Sequence, residues 1–226
     1  MRILAIDTAL EVCAAAVLDA ATGAMPAAES LDMARGHAEA LMPLIARVMD
    51  AAQWEFAELD RIAVTVGPGS FTGLRVGIAA ARGIALAADR PAVGLSTLSA
   101  LAAPHVAART QEIIITAINA RNDNVYFQVF APNGTTVVTP RLDHASNAVL
   151  AAVAEPTLIT GSGAMLLAAH WPSALPMPRL DIRAAPDIGW VARLGAAAGA
   201  ENASPKPLYL RRPDARPQDG GRLPRR

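Results

Sequence analysis

The chain has 226 residues, 53% of them hydrophobic, and its 20 basic and 20 acidic residues give a formal net charge of zero. This length suffices for one compact domain or two small lobes, and the composition excludes a largely disordered chain. A zero net charge argues against autonomous RNA binding, which depends on clustered Lys and Arg. The single cysteine, Cys13, excludes an intrachain disulfide and is expected to be a small buried residue.

Two features of the sequence bear on localisation. The N-terminus reads directly as a strand and reaches Asp7 after four apolar residues, whereas a secretory signal peptide needs a longer apolar run. The most apolar helical stretch, residues 73–88, is interrupted by Arg75 and Arg82 and looks too short to span a bilayer. We therefore expect a cytoplasmic protein without membrane contact.

The first half of the chain has an α/β pattern. Two apolar runs joined by the turn at residues 8–10 predict an opening hairpin. Leu41, Leu44, Ile45 and Val48 follow the spacing of one helical face. The predicted elements are strands over 2–7 and 11–18, a strand near 29–32, a helix over 37–52, a strand over 61–66, a helix over 72–88 and a strand over 91–95.

The second half repeats this order of hairpin, helix and strand without close sequence similarity. Its predicted elements are strands over 112–118, 124–130 and 135–138, a helix over 145–154, a strand over 156–160 and a last helix over 187–200. The duplication predicts an α/β, actin-like fold of two related lobes, residues 1–104 and 105–210. A single doubly wound domain is the alternative. The basic, Pro- and Gly-rich tail, 211–226, is expected to be unstructured.

The most informative segment is the glycine-rich loop, residues 67–77 (GPGSFTGLRVG). Glycines permit a tight turn after a strand and present N–H groups at a helix start, where the helix dipole favours an anion. Gly67, Gly69, Ser70 and Thr72 are therefore candidates for a phosphate-binding loop, although the P-loop and dinucleotide spacings are absent. A tight strand-to-helix turn capped by Ser70 or Thr72 is an equally open interpretation.

Four segments in order along the chain resemble the TsaB (YeaZ) family: residues 5–8 (AIDT), 36–45 (GHAEALMPLI), 67–77 and 207–211 (PLYLR). The resemblance implies an actin-like, Hsp70-like fold and a non-catalytic subunit that binds and activates its paralogue TsaD, with the ATPase TsaE as a third component. TsaD transfers a threonylcarbamoyl group to adenosine 37 of tRNAs that read codons beginning with A. The resemblance further implies that tRNA is contacted only through the complex.

TsaD carries a metal-binding H-x-x-x-H motif, and the matching positions of this sequence hold Thr97 and Leu101. Neither side chain can replace imidazole on a transition metal. We therefore predict no metal site, which argues against the alternative of a metallopeptidase. The four histidines are expected to be surface or capping residues: His37, His105, His144 and His170.

Asp7 is the best candidate for a functional carboxylate, because actin-like ATPases place an acid at the end of the first strand near metal and phosphate. Those enzymes continue with a glycine-rich turn, but here Thr8 begins a turn without glycine. We predict no cofactor of the chain's own, and ATP or ADP bound at most weakly or within the complex. A kinase-like ATP-binding protein of the same fold is a further alternative.

Small residues repeat every four positions along the helix after the loop, at Gly73, Gly77, Ala81 and Ala85. Such a flat stripe permits close approach of another helix, either of the chain's own core or of a partner. The family resemblance favours a partner bundle built with Leu41, Leu44, Ile45 and Val48, in which a homodimer and the TsaD heterodimer compete for one surface. On this interpretation Gly77→Trp abolishes partner binding and leaves the protein folded.

Overall fold

The computed structural model describes residues 1–152, 156–199 and 204–211. Two five-stranded sheets have the same topology, with strand orders β3-β2-β1-β4-β5 and β8-β7-β6-β9-β10. In each sheet the first three strands pair antiparallel and the last two join in parallel. The strands are β1 Arg2–Asp7, β2 Val12–Asp19, β3 Ala24–Asp32, β4 Arg61–Gly67, β5 Ala92–Ser96, β6 Ile113–Asn119, β7 Asn124–Phe130, β8 Thr136–His144, β9 Thr157–Thr160 and β10 Arg179–Asp181.

Six α-helices cover these sheets within the described residues. They are α1 His37–Ala52, α2 Phe71–Ala88, α3 Thr97–Ala107, α4 Ala145–Ala152, α5 Ala164–Ala169 and α6 Ile188–Ala197, and a short 3₁₀ helix spans Phe56–Glu58. In both sheets, one helix connects the third strand to the fourth, and another connects the fourth to the fifth. The duplicated order predicted from the sequence is therefore present in three dimensions.

The first sheet is covered on both faces. Alternate residues of β1 point to opposite sides, so Leu4 and Ile6 pack with α1 and α2 whereas Ile3 and Ala5 pack with α6. The second sheet packs against α4 and α5 on one side, and α3 covers Ile114 and neighbouring side chains on the other.

Helix α2 is 18 residues long and, by length and composition alone, could cross a membrane. The expectation that this stretch is too short was therefore wrong. Its inner face, including Leu74 and Ile78, is buried in the core of the first sheet. Core helices of this kind pass the same length and composition criteria as membrane-spanning helices.

Helix α3 was missed in the sequence because it has no polar face to mark its period. Leu98, Ala100, Leu101, Ala102 and Ala103 are all buried, since α3 contacts both sheets and α6. Helix α5 and strand β10 were not predicted either, and strands β3 and β8 are longer than predicted. The predicted helix 145–154 reaches Ala152, and its last two positions lie outside the described residues.

Two features bear on the predicted lobes, 1–104 and 105–210. The boundary falls within α3, and α6 packs on the first sheet, where a Cβ on Gly195 would lie 2.3 Å from the Cβ of Ala63. The second segment thus contributes a layer to the first lobe, and the division of the chain stays a prediction. The tail predicted to be unstructured lies outside the described residues from residue 212 onward.

Candidate functional site

Asp7, the candidate carboxylate, is fully buried at the end of β1. Its Oδ1 accepts hydrogen bonds from Thr65 Oγ1 at 2.6 Å and from the Ala9 N–H at 2.9 Å. Its Oδ2 is buried and has no hydrogen-bond partner within the described residues. Burial raises the pKa of Asp7 and outweighs the two hydrogen bonds, which lower it. The geometry is that of an internal group closed off from solvent.

The turn after Asp7 lies directly on the glycine-rich loop. Thr8 Oγ1 donates to the Gly73 carbonyl at 2.7 Å, and the Ser70 N–H donates to the Ala9 carbonyl at 2.7 Å. A Cβ on Gly73 would lie 2.1 Å from Thr8 O, and one on Gly77 would lie 2.3 Å from Thr8 Oγ1. These glycines are therefore needed for the turn to approach α2 closely.

This packing counts against the predicted phosphate loop. A Cβ on Gly69 would lie 2.2 Å from the Ala9 carbonyl oxygen, so backbone oxygen atoms already crowd the loop where an anion would have to approach. Ser70 caps α2 by accepting from the Gly73 N–H at 3.2 Å, and the side chain of Thr72 is exposed. The observed arrangement is the second interpretation, a tight strand-to-helix turn capped by Ser70.

On its other side the loop contacts residues 204–211, which we call the C-terminal strap. The Leu208 N–H donates to the Val66 carbonyl at 2.7 Å, and the Ser204 N–H donates to the Ala92 carbonyl at 3.2 Å. Gly67 has φ +114°, and a Cβ there would lie 2.9 Å from Leu208 O. Two segments of the family resemblance, 67–77 and 207–211, thus form one packed unit.

The positions that correspond to the TsaD histidines lie inside the protein. Thr97 and Leu101 are both buried. Leu101 belongs to an apolar cluster with Leu98 and Ile118, against which the partly buried Leu10 packs. Within residues 1–152, 156–199 and 204–211, no group of three or more His, Cys, Asp or Glu side chains is placed to hold a metal ion.

The histidines were expected at the surface or at helix ends; His37 does begin α1, but neither it nor His105 lies on the surface. His37 is buried, and its Nε2 lies 3.1 Å from the Leu10 carbonyl. His105 is nearly buried, with Nε2 3.0 Å from Asp181 Oδ2, and burial lowers its pKa against the effect of this carboxylate. His144 and His170 are exposed and meet edge to face.

Cys13 is buried, as expected of a small apolar residue. Burial is the main cause that raises the pKa of its thiol to about 11.

All eight residues predicted to form the partner surface are buried in the chain's own core. They are Leu41, Leu44, Ile45 and Val48 of α1 and Gly73, Gly77, Ala81 and Ala85 of α2. The stripes face the first sheet and the turn after Asp7, so they are not available to a partner in this conformation. Gly77→Trp would insert its side chain against Thr8 and disrupt the fold, so the expectation that this variant stays folded is wrong.

The surface that α1 and α2 present outward consists of other residues. Leu86 is 85% exposed and Met42 is 49% exposed. Ala46, Ala79 and Gly83 are also exposed, and a Cβ on Gly83 would meet nothing within 4 Å. We call this set, Met42, Ala46, Ala79, Gly83 and Leu86, the outer face. The signal that could have found it is the helical period, because these residues occupy the turn positions opposite the buried stripes.

Comparison with known proteins places the chain in a family. A model of the family "TsaD: tRNA N6-adenosine threonylcarbamoyltransferase" matches residues 19–170. The TsaB proteins of Escherichia coli K12 and Haemophilus influenzae are 36% and 35% identical over 127 residues, 56% of this chain. YeaZ from Pseudomonas aeruginosa superposes with a TM-score of 0.79 at 26% identity, covering 92% of this chain and 99% of that one. This chain belongs to the family described by the TsaD model, and it is similar to the TsaB and YeaZ proteins.

The match to the curated TsaB proteins is partial, since the chain spans about half of their length, 54% and 52%. An uncharacterized protein of Mycobacterium tuberculosis is 31% identical over 95% of this chain and 94% of its own. A polyphosphate/ATP-glucomannokinase from Arthrobacter shares the fold, with a TM-score of 0.55 at 12% identity. The actin-like fold predicted from the sequence is thus confirmed for this chain.

Proposed function

We propose that the chain is the non-catalytic subunit that binds and activates TsaD in forming threonylcarbamoyladenosine in tRNA, in a cytoplasmic complex that includes TsaE. The observation that carries the proposal is the outer face, above all the 85% exposed Leu86 on a helix whose other side is buried. Relatives at 35–36% identity are named as threonylcarbamoyladenosine biosynthesis proteins TsaB.

The outer face suits a helical partner. Ala79 and Gly83 are four residues apart on α2 and leave a shallow, small-residue surface between larger side chains. Leu86 and Met42 supply apolar area that would leave water on binding, at about 25 cal/mol per Å². A second copy of the chain could pair through the same residues, so homodimer and TsaD heterodimer are expected to compete.

A non-catalytic role is supported by the chemistry of three positions. Thr97 and Leu101 stand where TsaD has its metal-binding histidines, and neither offers a nitrogen ligand. Asp7 is enclosed by Thr65 and Ala9 instead of facing a ligand. ATP or ADP would accordingly bind weakly or at a partner interface, and the subunit would hold no cofactor of its own.

The test is Leu86→Arg, with Leu150→Arg as the matched control. Both leucines are highly exposed on helices, 85% and 75%, but Leu150 lies on α4 of the second lobe. We expect Leu86→Arg to abolish co-purification with TsaD, because a charge would be buried unpaired at the interface. The threonylcarbamoyladenosine content of tRNA should fall as a result.

The control variant should bind TsaD normally, and both variants should unfold at the wild-type temperature. Normal co-purification of Leu86→Arg with TsaD would refute the outer face as the interface. Loss of TsaD binding by both variants would also contradict the outer face as the interface, because the control changes a residue of the other lobe.

A further inference from the structure

One edge of α2, together with the C-terminal strap, carries positive charge without a single carboxylate. Residues 61–88 and 204–211 contain no Asp or Glu. Arg75 and Arg82 are seven residues apart and therefore lie two turns apart on the same side of α2. Lys206 of the strap is exposed, and Arg82 donates to the Pro205 carbonyl at 2.5 Å. The three cations thus belong to one continuous edge.

These cations keep their charge unneutralised. Arg2, Arg47 and Arg179 form ion pairs with carboxylates, but within the described part of the chain Arg75, Arg82 and Lys206 form none within 4 Å. Arg75 instead donates from Nε to the Tyr209 hydroxyl at 3.2 Å. Hydrogen bonds to a phenol and a carbonyl hold the guanidinium groups in place and leave them able to bind an anion.

Two aromatic rings accompany the charges. The rings of Phe71 and Tyr209 have centroids 5.1 Å apart, and the Arg75 guanidinium lies 3.9 Å from the Phe71 centroid. Phe71 is 39% exposed and Tyr209 is 41% exposed. Interleaved aromatic rings and guanidinium groups are the surface on which unpaired bases stack while cations contact their phosphates.

We propose that this basic edge, Phe71, Arg75, Arg82, Lys206 and Tyr209, binds an unpaired segment of the tRNA directly. The proposal rests on the proposed function, and it revises the expectation that tRNA is contacted only through the partner. The zero net charge concealed the edge because the acidic residues lie in other parts of the sequence. The exposed rings favour RNA over an acidic protein, which would match the charges but would not need two aromatic faces.

The basic edge lies beside the outer face. At 3.6 residues per turn, Leu86, Ala79 and Gly83 are rotated by roughly 40°, 60° and 100° from Arg82, so the outer face adjoins the basic edge at Leu86. We expect a TsaD subunit over Ala79 and Gly83 and an RNA strand along Arg75 and Arg82 to lie side by side on α2. The strap fixes this arrangement, since it supplies Tyr209 and Lys206 and is tied to β4 through Leu208 and Val66.

The experiment uses the complex of this chain with TsaD and an unmodified tRNA transcript as the probe. Arg75→Gln combined with Arg82→Gln should leave co-purification with TsaD intact and weaken tRNA binding about ten-fold. The slope of log affinity against log salt concentration should become shallower by about two. Arg35→Gln combined with Arg109→Gln removes the same charge from exposed positions elsewhere and should change neither quantity.

The aromatic part is tested separately. Tyr209→Ala should weaken binding of the transcript about ten-fold, whereas Tyr209→Phe, which keeps the ring and removes only the hydrogen bond to Arg75, should weaken it by less. Equal weakening by both Tyr209 variants would overturn base stacking at this ring.

Two results would overturn the proposal as a whole. Unchanged tRNA affinity and salt slope in an intact complex would exclude RNA contact at the basic edge. Loss of TsaD binding by the Arg75/Arg82 variant would assign the edge to a protein contact. A failure of the proposed function is distinguishable, because it appears as normal TsaD binding by Leu86→Arg regardless of the tRNA titration.

Discussion

The two lobes have sheets of the same topology but differ in the helices that connect the strands. Both sheets have the same strand order and the same pairing directions. The connecting helices α1 and α2 have 16 and 18 residues, whereas of their counterparts α5 has 6 and α4 has 8 within the described residues. Each helix of the long pair has one side buried against the sheet and another side in solvent. The solvent side forms the outer face on α1 and α2 and the basic edge on α2. The sheet supplies the common scaffold, and helix length distinguishes the surfaces of the two lobes.

The glycine-rich turns show what the lobes retain in common. After β4, a Cβ on Gly69 would lie 2.2 Å from the Ala9 carbonyl oxygen, and one on Gly73 would lie 2.1 Å from the Thr8 carbonyl oxygen. After β9, a Cβ on Gly161 would lie 2.3 Å from the Ala117 carbonyl. In each lobe a glycine lets the turn after the fourth strand approach the end of the hairpin strand. This close packing explains the glycines without a ligand.

The largest expected effect tests the close packing at glycine positions in the two lobes. Gly161→Ala should destabilise the protein by about 3 kcal/mol, because the Cβ meets backbone oxygen and φ is +107°. Gly77→Ala in the first lobe should cost about 2 kcal/mol through its contact with Thr8. Urea unfolding measures both. If either variant were as stable as the wild type, the close packing would not hold in that lobe and the comparison would fail.

The next effect concerns the ends of the equivalent strands β1 and β6, which finish in buried Asp7 and exposed Asn119. The pKa of Asp7 is raised above its ordinary value of 3.8, so folding favours the protonated form. Its stabilising contribution is fully present below the unfolded-state pKa and is lost as the pH rises through the folded-state pKa.

Unfolding free energies measured from pH 4 upward should therefore fall less steeply for Asp7→Asn than for the wild type. Asn119→Asp, the reciprocal change at the exposed position, should reproduce the wild-type pH dependence. Parallel curves for wild type and Asp7→Asn would contradict the burial of an ionisable group at the end of β1.

The smallest effect sharpens the distinction between the two sides of α2. Gly83→Ala should stabilise the protein by about 0.5–1 kcal/mol, since alanine is the better helix former and its Cβ meets nothing within 4 Å. Thermal unfolding of Gly83→Ala and of Gly77→Ala, measured together, compares the exposed and the buried side of one helix. Destabilisation by Gly83→Ala would mean that this position is not on the open side.

Much of the fold could be predicted from local pattern. Alternating or continuous apolar runs gave β1, β4, β6 and β7, and the spacing of Leu41, Leu44, Ile45 and Val48 gave α1. Helix α3 could not be found this way, because buried residues on nearly all sides remove the polar face that marks a helical period.

The candidate site was less predictable than the fold. The sequence identified residues 67–77 as special, but the pattern of glycines did not reveal that Thr8 and Ala9, about 60 positions earlier, fill the space above them. Likewise the basic edge joins Arg75 to Tyr209 across 134 positions. Such pairs carry no local signal.

By itself, the sequence determined the family, the duplicated α/β order and the absence of imidazole at positions 97 and 101. Tertiary structure alone decided which side of α1 and α2 is inside. Both helices carry small or apolar residues on opposite sides, so their composition permits either side to be buried. The choice is made by the first sheet and the turn after Asp7, which bury one stripe and leave Leu86 in solvent.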